Sequence, residues 1–214
     1  ERHGRAHTLS ADGSGFYIWG GMGMCTQKND VFYFDFASEQ WIELTADGDR
    51  PTCGWYGSIY HDAPQNRLIL YSQGRKYDHS CGHCAGVNRY GDSWTWSFDL
   101  SNNTWSQIAE ENPDLSCAWN NLVSIDNKLL TSGGGISGQV FDGAFGMLPG
   151  PLQMQVWDLE TDSGWGIIPS SGDVPPDGLP TGFYHVESQN AIVLLNSNGV
   201  YKTQLSISDI YGCT

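Results

Sequence analysis

Residues 30–41 read DVFYFDFASEQW, residues 92–105 read DSWTWSFDLSNNTW and residues 155–165 read QVWDLETDSGW. Each of these three stretches is an aromatic or β-branched run, followed by an Asp, a polar turn and a Trp. The alternation in Trp94-Thr95-Trp96-Ser97 has the period of two that is typical of a β-strand rather than a helix. The recurrence of the pattern indicates a chain built from tandem copies of one unit.

Two further pieces recur upstream of these stretches. One is a short strand-like run ending in Gly, found as GFYIWGG at 15–21, RLILYSQG at 67–74, KLLTSGG at 128–134 and AIVLLNSNG at 191–199. The other precedes it, and CGWYGSIYHD at 53–62 aligns without a gap with CAWNNLVSID at 117–126. Residues 3–12 and 180–188 occupy the same place in the outer units. We therefore predict one domain, 1–214, of four four-stranded units, at about 1–50, 51–113, 114–174 and 175–214.

The composition agrees with an all-β class. The chain has 27 Gly in 214 residues, nearly twice the usual share of about 7%, together with nine Trp and only four Met. No window carries a clean helical stripe. Short strands separated by turn signals, in units of about 50 residues, predict a β-propeller.

The pattern resembles the kelch family of β-propellers, over nearly the whole chain. The resemblance depends on Gly20-Gly21 and Gly133-Gly134 at the end of the second strand, and on the series Asp30-Val31…Asp35…Trp41 and Asp92…Asp99…Trp105. Unit 2 has Gln73-Gly74 instead of the double Gly, and unit 4 has Asn198-Gly199 and no Trp. The resemblance implies a fold of about four blades, the last incomplete, and says almost nothing about function.

Each signature residue has a structural explanation. The Gly pairs allow positive φ and close backbone approach at the strand end. Asp35, Asp99 and Asp158 are predicted to form turns by accepting hydrogen bonds from nearby amides. We expect the outer-strand tryptophans Trp41, Trp105 and Trp165 to fill the wedge between neighbouring sheets rather than to bind a partner.

The four countable repeats favour a closed ring of four blades. A larger propeller, or one formed by two chains, is the alternative. The sequence continues for only 15 residues after Gly199, so the fourth strand of the last unit would be rudimentary, built from Asp209–Thr214 or supplied from elsewhere. In a closed ring Cys25 and Cys213 would be neighbours, and a disulfide between them would join unit 4 to unit 1.

Four other cysteines lie in the middle units. The segment Asp78-His79-Ser80-Cys81-Gly82-His83-Cys84 is interpreted as a long loop stapled by a Cys81–Cys84 disulfide. A metal site is the weaker alternative, with His79, Cys81, His83 and Cys84 as ligands. Cys53 and Cys117 fall at equivalent places on adjacent units, and either pair with each other or pair elsewhere.

Cysteine usage also bears on the compartment. Six cysteines in an acidic, Lys-poor chain favour an oxidising environment, and Asn102-Asn103-Thr104 is an N-glycosylation sequon. The sequence begins at Glu1 without Met or a signal peptide, which predicts a processed form or a fragment. We expect a secreted or extracellular protein, glycosylated at Asn102.

The charge limits the kinds of partner. The chain carries 10 basic and 24 acidic residues, a formal net charge of −14. Nucleic acids and anionic membrane surfaces would be repelled. No apolar stretch approaches the 18 or so residues needed to span a bilayer.

A candidate binding site lies where the first strands of all units enter the propeller around its axis. Aromatic and amide groups there suit sugar rings or peptide side chains. The alternative is that these residues only fill a narrow channel. The predicted ligand-binding residues are Arg5, His7, Trp55, Tyr56, Trp119, Asn120, Tyr184 and His185.

Motifs for catalysis are missing from the sequence. It contains no G-x-S-x-G elbow, no phosphate-binding Gly loop and no H-E-x-x-H. We predict a non-enzymatic module without a cofactor, for protein–protein interaction or extracellular assembly, including self-association. A carbohydrate-binding module that uses Trp55, Tyr56 and Trp119 is the alternative, and a metal-dependent enzyme is the least favoured.

Overall fold

The computed structural model of the chain describes residues 4–21, 28–46, 48–51, 57–73, 93–109, 122–133, 153–162, 164–168, 180–196 and 199–204. The chain forms two compact units, Glu1–Glu111 and Asn112–Thr214. The boundary between them lies next to the predicted boundary between the second and third repeats. That all four repeats make one domain stays a prediction.

Unit 1 contains two antiparallel sheets, each made of four consecutive strands. Blade 1 is formed by β1 (Ala6–Leu9), β2 (Gly15–Trp19), β3 (Val31–Asp35) and β4 (Gln40–Glu43). Blade 2 is formed by β5 (Ser58–Asp62), β6 (Arg67–Gln73), β7 (Ser93–Asp99) and β8 (Thr104–Ala109). In both sheets the strands pair in chain order.

Unit 2 also contains two antiparallel sheets. Blade 3 is formed by β9 (Val123–Ile125), β10 (Lys128–Gly133), β11 (Gln153–Asp158) and β12 (Trp165–Ile168). Blade 4 is formed by β13 (Pro180–Val186), β14 (Ala191–Asn196) and β15 (Gly199–Gln204), with a turn of 3-10 helix at Glu187–Gln189.

The predicted fold class is confirmed. The described residues contain no α-helix, and the four sheets of consecutive antiparallel strands are β-propeller blades, the last with three strands. The segment 209–214, predicted to give blade 4 a fourth strand, lies outside the described residues.

The turns between the outer strands form as predicted, around three aspartates. Asp35 Oδ1 accepts the Ala37 amide at 3.2 Å, Asp99 Oδ1 accepts the Ser101 amide at 2.7 Å, and Asp158 Oδ1 accepts the Glu160 amide at 2.9 Å. Each carboxylate satisfies an amide that the reversing chain cannot bond to another strand. The three turns have the same hydrogen-bond geometry, which explains why the three hairpins share one sequence pattern.

The Gly pair of blade 1 also behaves as predicted. Gly20 and Gly21 have φ of 64° and 91°, a region where residues with a side chain are strained. The Gly20 amide donates to the Asp30 carbonyl at 3.1 Å, so the backbone turns away from the sheet while remaining bonded to the start of the next strand.

Side chains alternate between the two faces of each blade. We call the front face the one that carries the second residue of the blade's second strand, and the back face the opposite one. The residues that define the front faces of blades 1 to 4 are Phe16, Leu68, Leu129 and Ile192.

The core of unit 1 lies between its two blades. Ala6, Trp19 and Val31 on the back face of blade 1 pack in one buried cluster with the front face of blade 2, which contributes Leu68, Leu70, Phe98 and Trp105. Unit 2 repeats this arrangement. Leu130, Val156 and Ile168 on the back face of blade 3 pack with Phe183, Ile192 and Leu194 on the front face of blade 4.

The three outer-strand tryptophans do not share one role. Trp105 is 7% exposed and lies in the core of unit 1, as predicted. Trp165 is half-buried against Trp157, with ring centroids 5.6 Å apart. Trp41 is 49% exposed, so the prediction that it is buried in a wedge between sheets is wrong. Within unit 1 it lies on the front face of blade 1, which is not the face that blade 2 covers.

Candidate interaction site

An apolar row crosses the whole front face of blade 1. Leu9, Phe16, Phe34 and Trp41 are successive cross-strand partners on β1, β2, β3 and β4. Phe36, in the turn after β3, adds a fifth side chain, whose ring contacts those of Phe16 and Phe34. Because neighbouring strands place such partners side by side, the row is one continuous surface. We call these five residues the aromatic row.

The rings of the aromatic row hold one another in place. The Trp41 ring meets that of Phe16 edge-on at 5.3 Å and lies 5.0 Å from that of Phe34. The Phe36 ring lies 5.9 Å from Phe16 and 6.0 Å from Phe34. Edge-on and tilted contacts at these distances are favourable, so the row presents a preordered surface rather than loose side chains.

The row is open to solvent although its counterpart in blade 2 is buried. Leu9 is 65% exposed, Phe36 46% and Trp41 49%. In blade 2 the same four cross-strand positions are His61, Leu68, Phe98 and Trp105, and the last three are buried. Exposed rings in contact with one another are an unusual surface, because isolated apolar side chains are common on proteins but clusters mark interaction sites.

Charged groups flank the aromatic row on both sides. Glu39 and Glu43 are exposed on or beside the outer strand β4. Glu43 pairs with Phe32 and therefore shares the front face with the row, so carboxylates border the row at this strand. On the inner strand β1, the alternation of side chains places the exposed Arg5 and His7 on the same face as Leu9.

The predicted ligand-binding residues divide between the two units. Arg5 and His7 lie on blade 1, beside the aromatic row. Tyr184 and His185 are neighbours on β13 and therefore lie on opposite faces of blade 4: Tyr184 is exposed, and His185 is half-buried, with no hydrogen-bond partner for its Nε2 atom. The other four, Trp55, Tyr56, Trp119 and Asn120, lie outside the described residues.

The remaining predicted sites also fall mostly outside the described residues. These are the six cysteines, Cys25, Cys53, Cys81, Cys84, Cys117 and Cys213, and the loop histidines His79 and His83. Asn102 is exposed in the turn between β7 and β8, where its Oδ1 atom accepts the Thr104 amide at 3.1 Å. Within the described ranges there is no group of three or more His, Cys, Asp or Glu side chains that could hold a metal, and no helix that could cross a membrane.

A group of hydrogen-bonded polar side chains lies at the turn between β1 and β2. The Ser14 amide and hydroxyl both donate to Asp12 Oδ1, at 3.0 and 2.7 Å. Since the Ser14 proton is used in this way, the Tyr33 hydroxyl, 2.7 Å from Ser14 Oγ, must donate to it. The amide and hydroxyl of Ser14, with the Ser10 hydroxyl, lower the pKa of Asp12 to about 2.

His61 joins this turn to blade 2. Its Nδ1 atom accepts the Ala11 amide at 2.9 Å, and its ring lies 5.1 Å from that of Tyr17. Burial lowers the pKa of His61, although Asp12 and Asp62 oppose the shift. Burial, with Tyr33 and Asp12, raises the pKa of Tyr17. Because the Nδ1 lone pair is occupied, neutral His61 carries its proton on Nε2. It therefore has no free ring lone pair to accept a proton from Ser14.

This joint predicts a pH-dependent stability. The pKa of His61 is lowered in the folded state, so its contribution is complete above the ordinary value of 6.5 and is lost as the pH falls through the folded pKa. His61→Asn keeps an acceptor for the Ala11 amide and does not titrate. We expect urea unfolding between about pH 5 and 8 to show a steeper loss of stability toward acid in the wild type than in His61→Asn. Parallel curves would contradict this role of His61.

Blade 3 contains a pair of buried polar side chains. Thr131 and Gln155 are cross-strand partners, and both are fully buried. Neither Thr131 Oγ1 nor the two amide atoms of Gln155 has a hydrogen-bond partner. Buried polar atoms of this kind are normally satisfied by bound water. Neither side chain of the pair carries a charge.

The aromatic row was not identified as a site from the sequence. Its signal was present, because Phe32, Phe34 and Phe36 alternate along β3 and would share a face. Blade 2 has the similar series Trp94, Trp96 and Phe98. The two stretches therefore differ in their surroundings more than in their pattern.

Comparisons with known proteins support the fold and leave the family open. No protein-family model and no curated protein matches the chain. The fold is similar to that of a solved structure titled Kuenenia stuttgartiensis Hydrazine Synthase, with a TM-score of 0.52 and 9% sequence identity. The match covers 90% of this chain and 52% of that one, so this chain spans about half its length. At this identity the likeness concerns the fold alone.

Proposed function

We propose that this chain is a non-enzymatic protein-interaction module, and that the front face of blade 1 is its docking surface. The repeats are of the kelch type in this proposal, and the protein is extracellular, as its cysteines and its sequon suggest. The proposal includes no enzymatic role: among the described residues of unit 1, His61, which is bonded to the turn that holds Asp12 and Ser14, has its Nδ1 lone pair occupied by the Ala11 amide.

The observation that carries the proposal is the exposure of the aromatic row. The equivalent row of blade 2 is covered by another sheet, whereas Leu9, Phe36 and Trp41 remain in water. Transfer of apolar surface out of water is worth roughly 25 cal/mol per Å², so covering the row would be favourable.

The arrangement of the surface suits a protein partner. Trp is among the residues most often found at the energetic centre of protein interfaces, and such centres are surrounded by a polar rim. Here Trp41 stands among other rings, with Glu39 and Glu43 at one side and Arg5 and His7 at the other. The carbohydrate alternative depends on Trp55, Tyr56 and Trp119, and it stays a prediction from the sequence.

The proposal predicts a binding defect that depends on the face of the sheet. Trp41→Ser should weaken the affinity for a protein partner recovered with the wild-type chain by about tenfold or more, because it removes the largest ring of the row. Ile42→Ser is the matched control: Ile42 is the next residue of β4, is similarly exposed at 46%, and lies on the back face. Titration of each purified variant by calorimetry gives the two affinities.

The result that opposes the proposal is equally definite. If Trp41→Ser and Ile42→Ser bind every recovered partner as the wild type does, the front face of blade 1 is not the docking surface. Unchanged thermal unfolding of both variants would show that the comparison reports binding and not folding.

A further inference from the structure

Blades within each unit pack by one rule. In unit 1 the back face of blade 1 covers the front face of blade 2, and in unit 2 the back face of blade 3 covers the front face of blade 4. A front face of this protein is therefore complementary to a back face. The occupant that suits the exposed front face of blade 1 is the back face of another blade.

Blade 4 has an exposed back face. Val200 on β15 is 71% exposed and Tyr184 on β13 is 44% exposed. Their strand neighbours on the same face, Val193 and Leu195 on β14, are partly exposed. A Cβ atom placed on Gly182 would lie 2.5 Å from the Tyr184 ring, so this ring covers Gly182 on its own strand.

We propose that a second copy of this chain binds the aromatic row, with the back face of blade 4 of one copy docked on the front face of blade 1 of the other. The proposal rests on the proposed function and names its partner. It repeats between two copies the front-to-back packing seen twice within one. The contact joins two different surfaces, so it is heterologous, and copies associate head to tail.

Charge complementarity supports this pairing. The one described cationic side chain on the back face of blade 4 is Lys202, which lies in the cross-strand row of Tyr184 and Val193 and donates to Gln189 Oε1 at 2.6 Å. The outer side of the aromatic row carries the exposed carboxylates of Glu39 and Glu43. A chain of net charge −14 otherwise repels its own copies, so an apolar contact with one cation facing carboxylates is a combination that permits self-association.

The test uses the purified chain alone in sedimentation velocity, from about 1 to 100 µM. We expect the mean mass to rise with concentration. We also expect association to strengthen as salt increases from about 0.05 to 0.5 M, since salt screens the repulsion between two copies of net charge −14, which exceeds the attraction of the single Lys202, and leaves apolar burial intact. A wild type that stays monomeric under all these conditions overturns the proposal.

Two variants, one on each face, decide the geometry. Leu9→Asp places a charge on the front face of blade 1, and Val200→Asp places one on the back face of blade 4. Both positions are highly exposed, so folding tolerates the charge. Each variant alone should associate about tenfold more weakly or not at all. An equal mixture should form a one-to-one dimer, because each variant retains the face that the other lacks. Leu9→Ser and Val200→Ser repeat the test without added charge.

The remaining outcomes each count against the inference. If Val200→Asp associates as the wild type does and Leu9→Asp does not, the contact is between the blade 1 front faces of two copies. A monomeric wild type whose stability falls in both variants would show that the two faces are paired within one chain. If Trp41→Ser still loses a different protein partner while the pure chain is monomeric, the proposed function survives and the second copy is excluded.

Discussion

Replacing Trp105 with alanine is expected to lower the free energy of unfolding by about 3–5 kcal/mol. Trp105 is buried in the core of unit 1, with its ring 4.9 Å from that of Phe98 and 6.5 Å from that of Trp96. The substitution removes a large apolar side chain from the contact between two sheets and leaves a cavity that the paired strands cannot close. Chemical denaturation followed by far-ultraviolet circular dichroism measures the change.

The matched substitution is Trp41→Ala, at the same repeat position in blade 1. About half of this side chain is already in water, so we expect roughly half the loss, about 2 kcal/mol. The two variants delete the same atoms from the same hairpin position, and they differ only in whether another sheet covers the ring. Equal losses would mean that Trp41 is buried in solution, in contradiction to the exposed aromatic row.

Removing Asp62 is expected to have an effect as large as removing Trp105. Asp62 and Arg67 are cross-strand partners on β5 and β6, and Arg67 Nε donates to Asp62 Oδ2 at 2.8 Å. Their side chains are only 4% and 9% exposed. Asp62→Ala leaves a buried guanidinium without this carboxylate, which costs about 3–5 kcal/mol. Thermal and urea unfolding give the value.

The double variant Asp62→Leu with Arg67→Met distinguishes the net contribution of the ion pair from the cost of leaving one buried charge without its partner. Because both desolvated charges are gone and apolar volume is restored, its stability should lie within about 1 kcal/mol of the wild type. Lys128→Met tests the pair formed by Lys128 and Asp158 in blade 3, which is more exposed and should cost less. A double variant as unstable as Asp62→Ala would show that the pair is net stabilising.

Strands and turns of this protein were predictable because their causes are local. Alternation of side chains placed β3 and β7, and the carboxylate of Asp35 or Asp99 reaches amides only two residues ahead. The positive φ of Gly20 and Gly21 likewise follows from the residue type at a strand end. These interactions need no knowledge of distant residues.

The burial of the outer tryptophans was not predictable in this way. Trp41 and Trp105 follow the same Asp at the same spacing and pair with equivalent aromatic residues, Phe34 and Phe98. One is exposed and the other is buried, since only the front face of blade 2 meets another sheet within unit 1. A repeat pattern predicts the strands of a blade but not which of its faces is covered by another sheet.

The candidate site also has a part that was predictable from the sequence and a part that was not. Arg5 and His7 were chosen from the residue types of the first strand; both are exposed on the face of Leu9, and their role in binding stays a prediction. The aromatic row itself emerged only when pairing of four strands brought Leu9, Phe16, Phe34 and Trp41 together. The proposed convergence of first strands from all units stays a prediction.

Local sequence thus sufficed for the all-β class, the hairpins and their Asp-centred turns, because each depends on neighbours within a few residues. Which sheet faces are covered, and which tryptophan is buried and which is exposed, followed only from the packing of whole blades. The physical reason is that apolar burial depends on the surface placed opposite a side chain, and that surface comes from a different part of the chain.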